Sequence, residues 1–126
     1  MSERRRQIEA ESRKAEDHVA RWLKLRGWKI LAQRFKTPEG EVDIIARKKD
    51  VIAFVEVKQR DRISKTEDIL TASNISRVME AAEIWVERNF ETLGAEFEIR
   101  FDLAIIEGRL TSFSRVDYTA NAFTGF

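Results

Sequence analysis

Two apolar, β-branched runs lie almost end to end in this chain: Glu41-Val-Asp-Ile-Ile-Ala-Arg47 and Val51-Ile-Ala-Phe-Val-Glu-Val-Lys58. The short polar spacer Lys48-Lys49-Asp50 predicts a β-hairpin. Both faces of each run carry apolar side chains, which suits a sheet covered on both sides. The rest of the chain must supply the covers. From Ile8 to Arg26, the residues Ile8, Ser12, Ala15, Val19, Trp22 and Leu23 share one helical stripe, and Gly27 is the expected stop. Glu67 to Phe90 repeats the helical pattern, with Ile69, Ile75, Val78, Met79, Ala82, Trp85 and Val86 facing inward. Trp28–Phe35, Phe97–Ile106 and Arg109–Val116 read as strands, and Thr37-Pro-Glu-Gly40 as a turn. The predicted order α-β-β-β-α-β-β gives an α/β (or α+β) class, a mixed central sheet flanked by helices. At 126 residues the chain suits one domain, 1–126, with a frayed N-terminus (1–7) and an irregular tail (117–126).

Composition narrows the chemistry. There is no Cys and one His, which excludes thiolate sites, His-rich zinc sites and most Ser-His schemes. A bound metal would need carboxylate ligands, which favours a hard cation, Mg2+ or Mn2+. The charged N-terminus lacks a following apolar segment and no run is long enough for a bilayer, so a cytoplasmic protein without membrane contact is expected. Formal charge is +1 overall, yet residues 1–62 carry +6 and residues 63–126 carry −5. Between His18 and Pro38 stand Arg21, Lys24, Arg26, Lys29, Arg34 and Lys36 with no acid, a half-molecule suited to face a polyanion.

Carboxylates do not belong where this chain puts them. Asp43 sits between Val42 and Ile44, and Glu56 between Val55 and Val57. Buried ions cost several kcal/mol each unless paired or metal-bound. Lys58 follows Glu56 by two and shares its strand face. Residues opposed in a hairpin have a constant sum of numbers. Pairing of Arg47 with Ile52 therefore sets Asp43 opposite Glu56. Pairing with Asp50 sets Asp43 opposite Phe54, with Glu56 diagonal on the same face. A three-residue loop pairing Arg47 with Val51 puts Glu56 on the other face unless a bulge intervenes. A shared site requires an even-numbered loop or a bulge. Given that, Asp43, Glu56 and the Val57 carbonyl suit a divalent cation, and Lys58 can orient a nucleophile or neutralise a phosphorane-like transition state. Glu16 shares a face with Val19, Ala20 and Leu23, so it leans toward the sheet and is a fourth candidate. Together these residues suit phosphodiester hydrolysis.

The string Gly40-Glu-Val-Asp43 followed by Val55-Glu-Val-Lys58 resembles the signature of the PD-(D/E)xK nuclease superfamily. More closely, Ala15-Glu-Asp17, Gly27-Trp-Lys-Ile-Leu, Gly40-Glu-Val-Asp-Ile-Ile-Ala46, Phe54-Val-Glu-Val-Lys58 and Arg100-Phe-Asp102 resemble the YraN-like bacterial family, related to Holliday-junction resolvases. The resemblance implies a restriction-endonuclease-like αβββαβ core, metal at Asp43 and Glu56, a catalytic Lys58, and Glu16 in place of the helix glutamate. It further implies a DNA substrate, branched or recombining, and a homodimer. The chain departs from that pattern at Ser73-Asn-Ile-Ser-Arg77, where the family carries a basic stretch and only Arg77 is left.

Arg60 and Arg62, leaving the strand beside the proposed site, are candidate phosphate contacts along with Arg77. His18 is expected to be exposed, the three Trp residues to pack in or beside the core, and Asp102 to partner an Arg. Phe123 and Phe126 are expected to tuck against the domain or contribute to a dimer contact. Two readings follow: a magnesium-dependent deoxyribonuclease, or a nucleic-acid-binding or regulatory protein that keeps the fold with a weak or inactive site.

Overall fold

In the computed structural model, residues 2–60 and 70–123 are described. Arg62, Glu67, Ile69 and Phe126 lie outside them. The helix expected over Glu67–Phe90 is observed over Ala72–Leu93, because Thr71 is extended and its side chain caps the helix by accepting from the Asn74 N–H. The elements follow the expected order: α1 (Glu3–Leu25), β1 (Lys29–Lys36), β2 (Glu41–Lys48), β3 (Val51–Arg60), α2 (Ala72–Leu93), β4 (Glu98–Glu107) and β5 (Val116–Thr119). The class is α/β. Its five strands lie in sequence order, antiparallel throughout except for the parallel pair β3–β4, whose crossover includes α2. Among the described residues no helix is long and apolar enough to cross a membrane.

Both faces of the sheet are covered, as its sequence demands. On one face Ala15, Val19, Ala20 and Leu23 of α1 pack on Ile44, Ala46, Ala53 and Val55. On the other, Val78, Ala81, Ala82 and Trp85 of α2 pack on Val42, Ile45, Ile52 and Phe54. Trp22 stacks on Tyr118, and Trp28 lies beside the first of these cores.

Three more expectations need correction. The first helix starts at Glu3, inside the stretch expected to fray, because the Ser2 side chain caps it by accepting from the Arg5 N–H. None of its residues before Ala15 is buried, so these turns rest on helix continuity rather than packing. The last strand is Val116–Thr119, not Arg109–Val116. The Ser114 hydroxyl accepts from Thr111 N–H, Ser114 N–H donates to Thr111 O, and the Thr111 hydroxyl accepts from Phe113 N–H. Those local bonds hold 111–114 as a turn in competition with a ladder. The strand thus occupies the start of the expected irregular tail. His18 is half-buried rather than exposed, its Nε2 lying 2.8 Å from the Ser114 carbonyl oxygen on that turn.

Asp102 is a structural acid, as expected. It is fully buried, takes a two-pronged bond from Arg100 at 2.9 Å, accepts from Tyr118 Oη, and accepts from Asn121 N–H at 2.9 Å. This knot ties β5 and the following turn to β4, and Phe123 beyond it is buried in the α2-side core.

Gly40 fixes the relation between the β1–β2 turn and α2. A methyl group there would lie 1.9 Å from the Arg77 carbonyl oxygen and 2.8 Å from its Cα, both backbone atoms that cannot rotate away. Gly40→Ala is expected to cost about 1–3 kcal/mol through overpacking. Chemical denaturation checks this: the midpoint should fall with an unchanged slope.

Candidate active site

The hairpin turn is two residues long. Lys48 pairs with Val51 and Arg47 with Ile52, the even register that aligns Asp43 with Glu56. Paired residues end at Ile44 and Val55; one step further the strands part. There the Asp43 Oδ2 accepts the Val57 N–H at 2.8 Å, a side chain serving a backbone donor at the fork.

A change of facing on β1 and β2 accompanies the fork. Ile44 and Ala46 face α1 and Ile45 faces α2, yet Val42 also faces α2, so alternation breaks around Asp43. On β1 the matching residue is Arg34, which lies between the pairs Gln33–Ile44 and Phe35–Val42 and has φ 53°. Gln33 reaches α1, donating to Asp17 at 3.0 Å, while Phe35 joins the α2-side core. Left-handed backbone at a long side chain is uncommon and marks a constrained position. No glycine or asparagine flagged it, so sequence reasoning missed Arg34.

Arg34 meets Glu16. Its Nη1 lies 3.2 Å from Glu16 Oε1 and 3.8 Å from Asp17 Oδ1. Glu16 is 8% exposed. Burial, then the charge of Asp43, raise its pKa from the ordinary 4.5 to about 7, against the pull of Arg34. Glu56 is 7% exposed and its pKa is raised further, by burial first and then by the Asp43 carboxyl within hydrogen-bonding reach, with Lys58 opposing. Lys58 Nζ stands 4.0 Å from Glu56 Oε2.

Glu16, Asp43, Glu56 and Lys58 share one cavity of about 300 Å³, while Arg34 lines a neighbouring cleft. α1 lines the shared cavity with Ser12 and Glu16, the sheet with Glu41, Asp43, Glu56, Val57 and Lys58, and α2 with Asn74 and Arg77. Glu41 and Asn74 went unnoticed in the sequence, since neither has an unusual neighbour there. Arg77 is exposed at the rim. Arg60 lies away from this cavity, in the next cleft, half-buried with Nη1 on the Gln59 carbonyl.

Two carboxyls in contact, with the interior behind them, do not both ionise without a proton or a cation between them. The donor set there is all oxygen: Asp43, Glu56 and the Val57 carbonyl. That set fits a hard divalent ion that keeps part of its water shell. Among the described residues no three His, Asp or Glu side chains form a ready cage, and Glu16 is engaged by Arg34.

Residues 15–106 match the model of "Uncharacterised protein family UPF0102". The chain belongs to that family. A UPF0102 protein of Bradyrhizobium diazoefficiens is 42% identical over 95 residues, covering 75% of this chain and 70% of its own. One from Rhodopseudomonas palustris is 44% identical over 92 residues, with coverage of 73% and 70%. One from Agrobacterium fabrum is 39% identical over 110 residues, with coverage of 86% and 88%. The UPF0102 match encloses Glu16, Asp43, Glu56, Lys58 and Arg77, and leaves out the first turns of α1 and all of β5.

A carboxyl with a raised folded-state pKa holds its proton more tightly when folded. Its contribution to stability is therefore lost as pH climbs from about 4.5 toward the raised value. In EDTA, Glu56→Gln should melt at a higher temperature than the wild type, with the gap widening from about pH 5 to about pH 8. Magnesium or manganese should raise the wild-type Tm and leave Glu56→Gln unmoved. A cation at 100 times its Kd adds about 2.7 kcal/mol. Thermal melts across pH, with and without metal, check both parts.

Proposed function

We propose that the protein is a divalent-metal-dependent endonuclease of the PD-(D/E)xK type that hydrolyses DNA phosphodiester bonds, on branched or recombination intermediates. One observation carries the reading: the strand fork gathers Asp43 and Glu56 in a single cavity, with Lys58 4.0 Å from Glu56. The pair, a half-buried Asp43 and a buried Glu56, is served by the Val57 N–H and by Lys58 at 4.0 Å. It contrasts with Asp102, whose oxygens are taken by three partners, Arg100, Tyr118 and the Asn121 N–H.

Asp43 and Glu56, with the Val57 carbonyl, would hold Mg2+ or Mn2+. The chemistry such a cation would supply there is a lower pKa for bound water and an offset to charge developing on phosphorus. The chain's own residues do the rest. The Val57 N–H fixes the Asp43 carboxylate, so the first ligand is oriented before substrate arrives. The Lys58 ammonium stands in the same cavity and neutralises charge on the attacked phosphate or orients the nucleophile. Arg34 holds Glu16 at the edge, where its pKa near 7 suits proton exchange with water at neutral pH. Arg77 and Asn74 approach from α2 to meet a phosphate oxygen.

The test is cleavage of labelled linear, single-stranded, flapped and four-way-junction DNA with manganese or magnesium. Asp43→Ala should abolish cutting. Lys58→Ala should slow it about 100- to 1,000-fold while binding changes little. Equal cutting by wild type and Lys58→Ala would remove the lysine from the chemistry. No cutting by the wild type on any substrate would favour the nucleic-acid-binding reading.

A further inference from the structure

A second, larger cleft of about 930 Å³ opens from the catalytic cavity, with Val57, Lys58, Gln59 and Ser12 lining both. Its walls are the first turns of α1, the end of β3, and the Gly108–Leu110 bend. Three cations converge on it from three elements: Lys14 from α1, Arg60 from β3, already a candidate phosphate contact, and Arg109 from the bend. Among the described residues that line it, Glu11 is the acid. The bend is held against β3, because Gln59 Nε2 donates to Gly108 O at 2.8 Å and Gly108 N–H donates to Arg60 O at 2.8 Å.

Ile8 and Leu110 face into the same space. Ile8 is 55% exposed and lies in the part of α1 where none of the described residues is buried. Beside these cations, the exposed Ile8 and the half-buried Leu110, which also packs on the α1-side core, offer apolar contact to base faces that a duplex keeps stacked away. Together they suit a strand whose bases are unstacked, with phosphates on the cations and a base face against the apolar side chains. Ile8 and Ser12 also line a smaller cleft of about 280 Å³ beyond α1, together with Glu16, Glu41 and Asp43. The helix therefore stands between the two clefts.

We infer that the cleft between α1 and the Gly108–Leu110 bend binds a single DNA strand beside the scissile phosphate, through Lys14, Arg60, Arg109, Ile8 and Leu110. The inference rests on the nuclease reading in taking a DNA phosphodiester as what Asp43 and Glu56 face. It narrows the substrate to DNA with a single-stranded segment, such as a flap, gap or splayed arm.

The experiment measures binding of a fluorescently labelled single strand, a flap and a blunt duplex of the same sequence to the full chain in calcium, by anisotropy across a salt series. The single strand and the flap should bind about tenfold more tightly than the duplex. Lys14→Ala and Arg109→Ala should each weaken single-strand binding and flatten its log–log salt slope by about 0.7. Ile8→Ala should weaken single-strand binding about fivefold and leave duplex binding unchanged. Duplex binding as tight as single-strand binding would overturn the proposal. So would unchanged single-strand affinity in the three variants, or no binding of any probe. Cleavage in manganese is read separately. The predicted binding pattern without cutting would sink the nuclease reading and keep the cleft. Equal binding and cutting of duplex would keep the nuclease and sink the cleft.

Discussion

The placement of two carboxylates at one strand fork organises everything around them. Asp43 and Glu56 stand between apolar strand neighbours and share a cavity with Glu16 and Glu41, and the cation nearest Glu56 is Lys58 at 4.0 Å. A structure bears the cost of such a cluster where the surroundings over-determine it. Here the surroundings are two covered faces: α1 packs one side of the β2–β3 hairpin, and α2 packs the other. The hairpin cannot slip register to relieve the acids without turning its apolar set outward. Parting of the strands at Asp43 is thus the least costly response, and it leaves a cavity where ladder would otherwise continue.

Asp102 supplies the comparison within the same sheet. It is more deeply buried than Glu56, yet Arg100, Tyr118 and the Asn121 N–H use its oxygens fully. Burial raises the Tyr118 pKa, and the carboxylate that its hydroxyl serves raises it further. Such a closed knot holds strands together and has no capacity left for a ligand. The difference between the two acids lies in satisfaction rather than in depth.

Much of this was legible in the sequence, for identifiable reasons. Acids between β-branched residues are rare enough to mark Asp43 and Glu56, and arithmetic on a two-residue turn sets them opposite each other. Glu16 is placed by helical spacing. Signals ran out where geometry depends on distant partners. Arg34 adopts a left-handed backbone without a residue that advertises it. His18 finds the Ser114 carbonyl, a contact between residues far apart in sequence. The 111–114 turn hides inside a stretch whose composition also suits a strand. The early α1 turns carry no apolar rhythm, so only the Ser2 cap marks their start.

The contact between Gly40 and α2 separates two properties that usually travel together. It is made through the Arg77 backbone, not through its side chain. The identity of residue 77 is therefore free of the job of seating the helix, while the carbonyl of residue 77 is committed to it. Charge at this rim can be retuned by exchange of one side chain with the scaffold left in register. The turn that leads into Asp43, by contrast, has room for hydrogen alone.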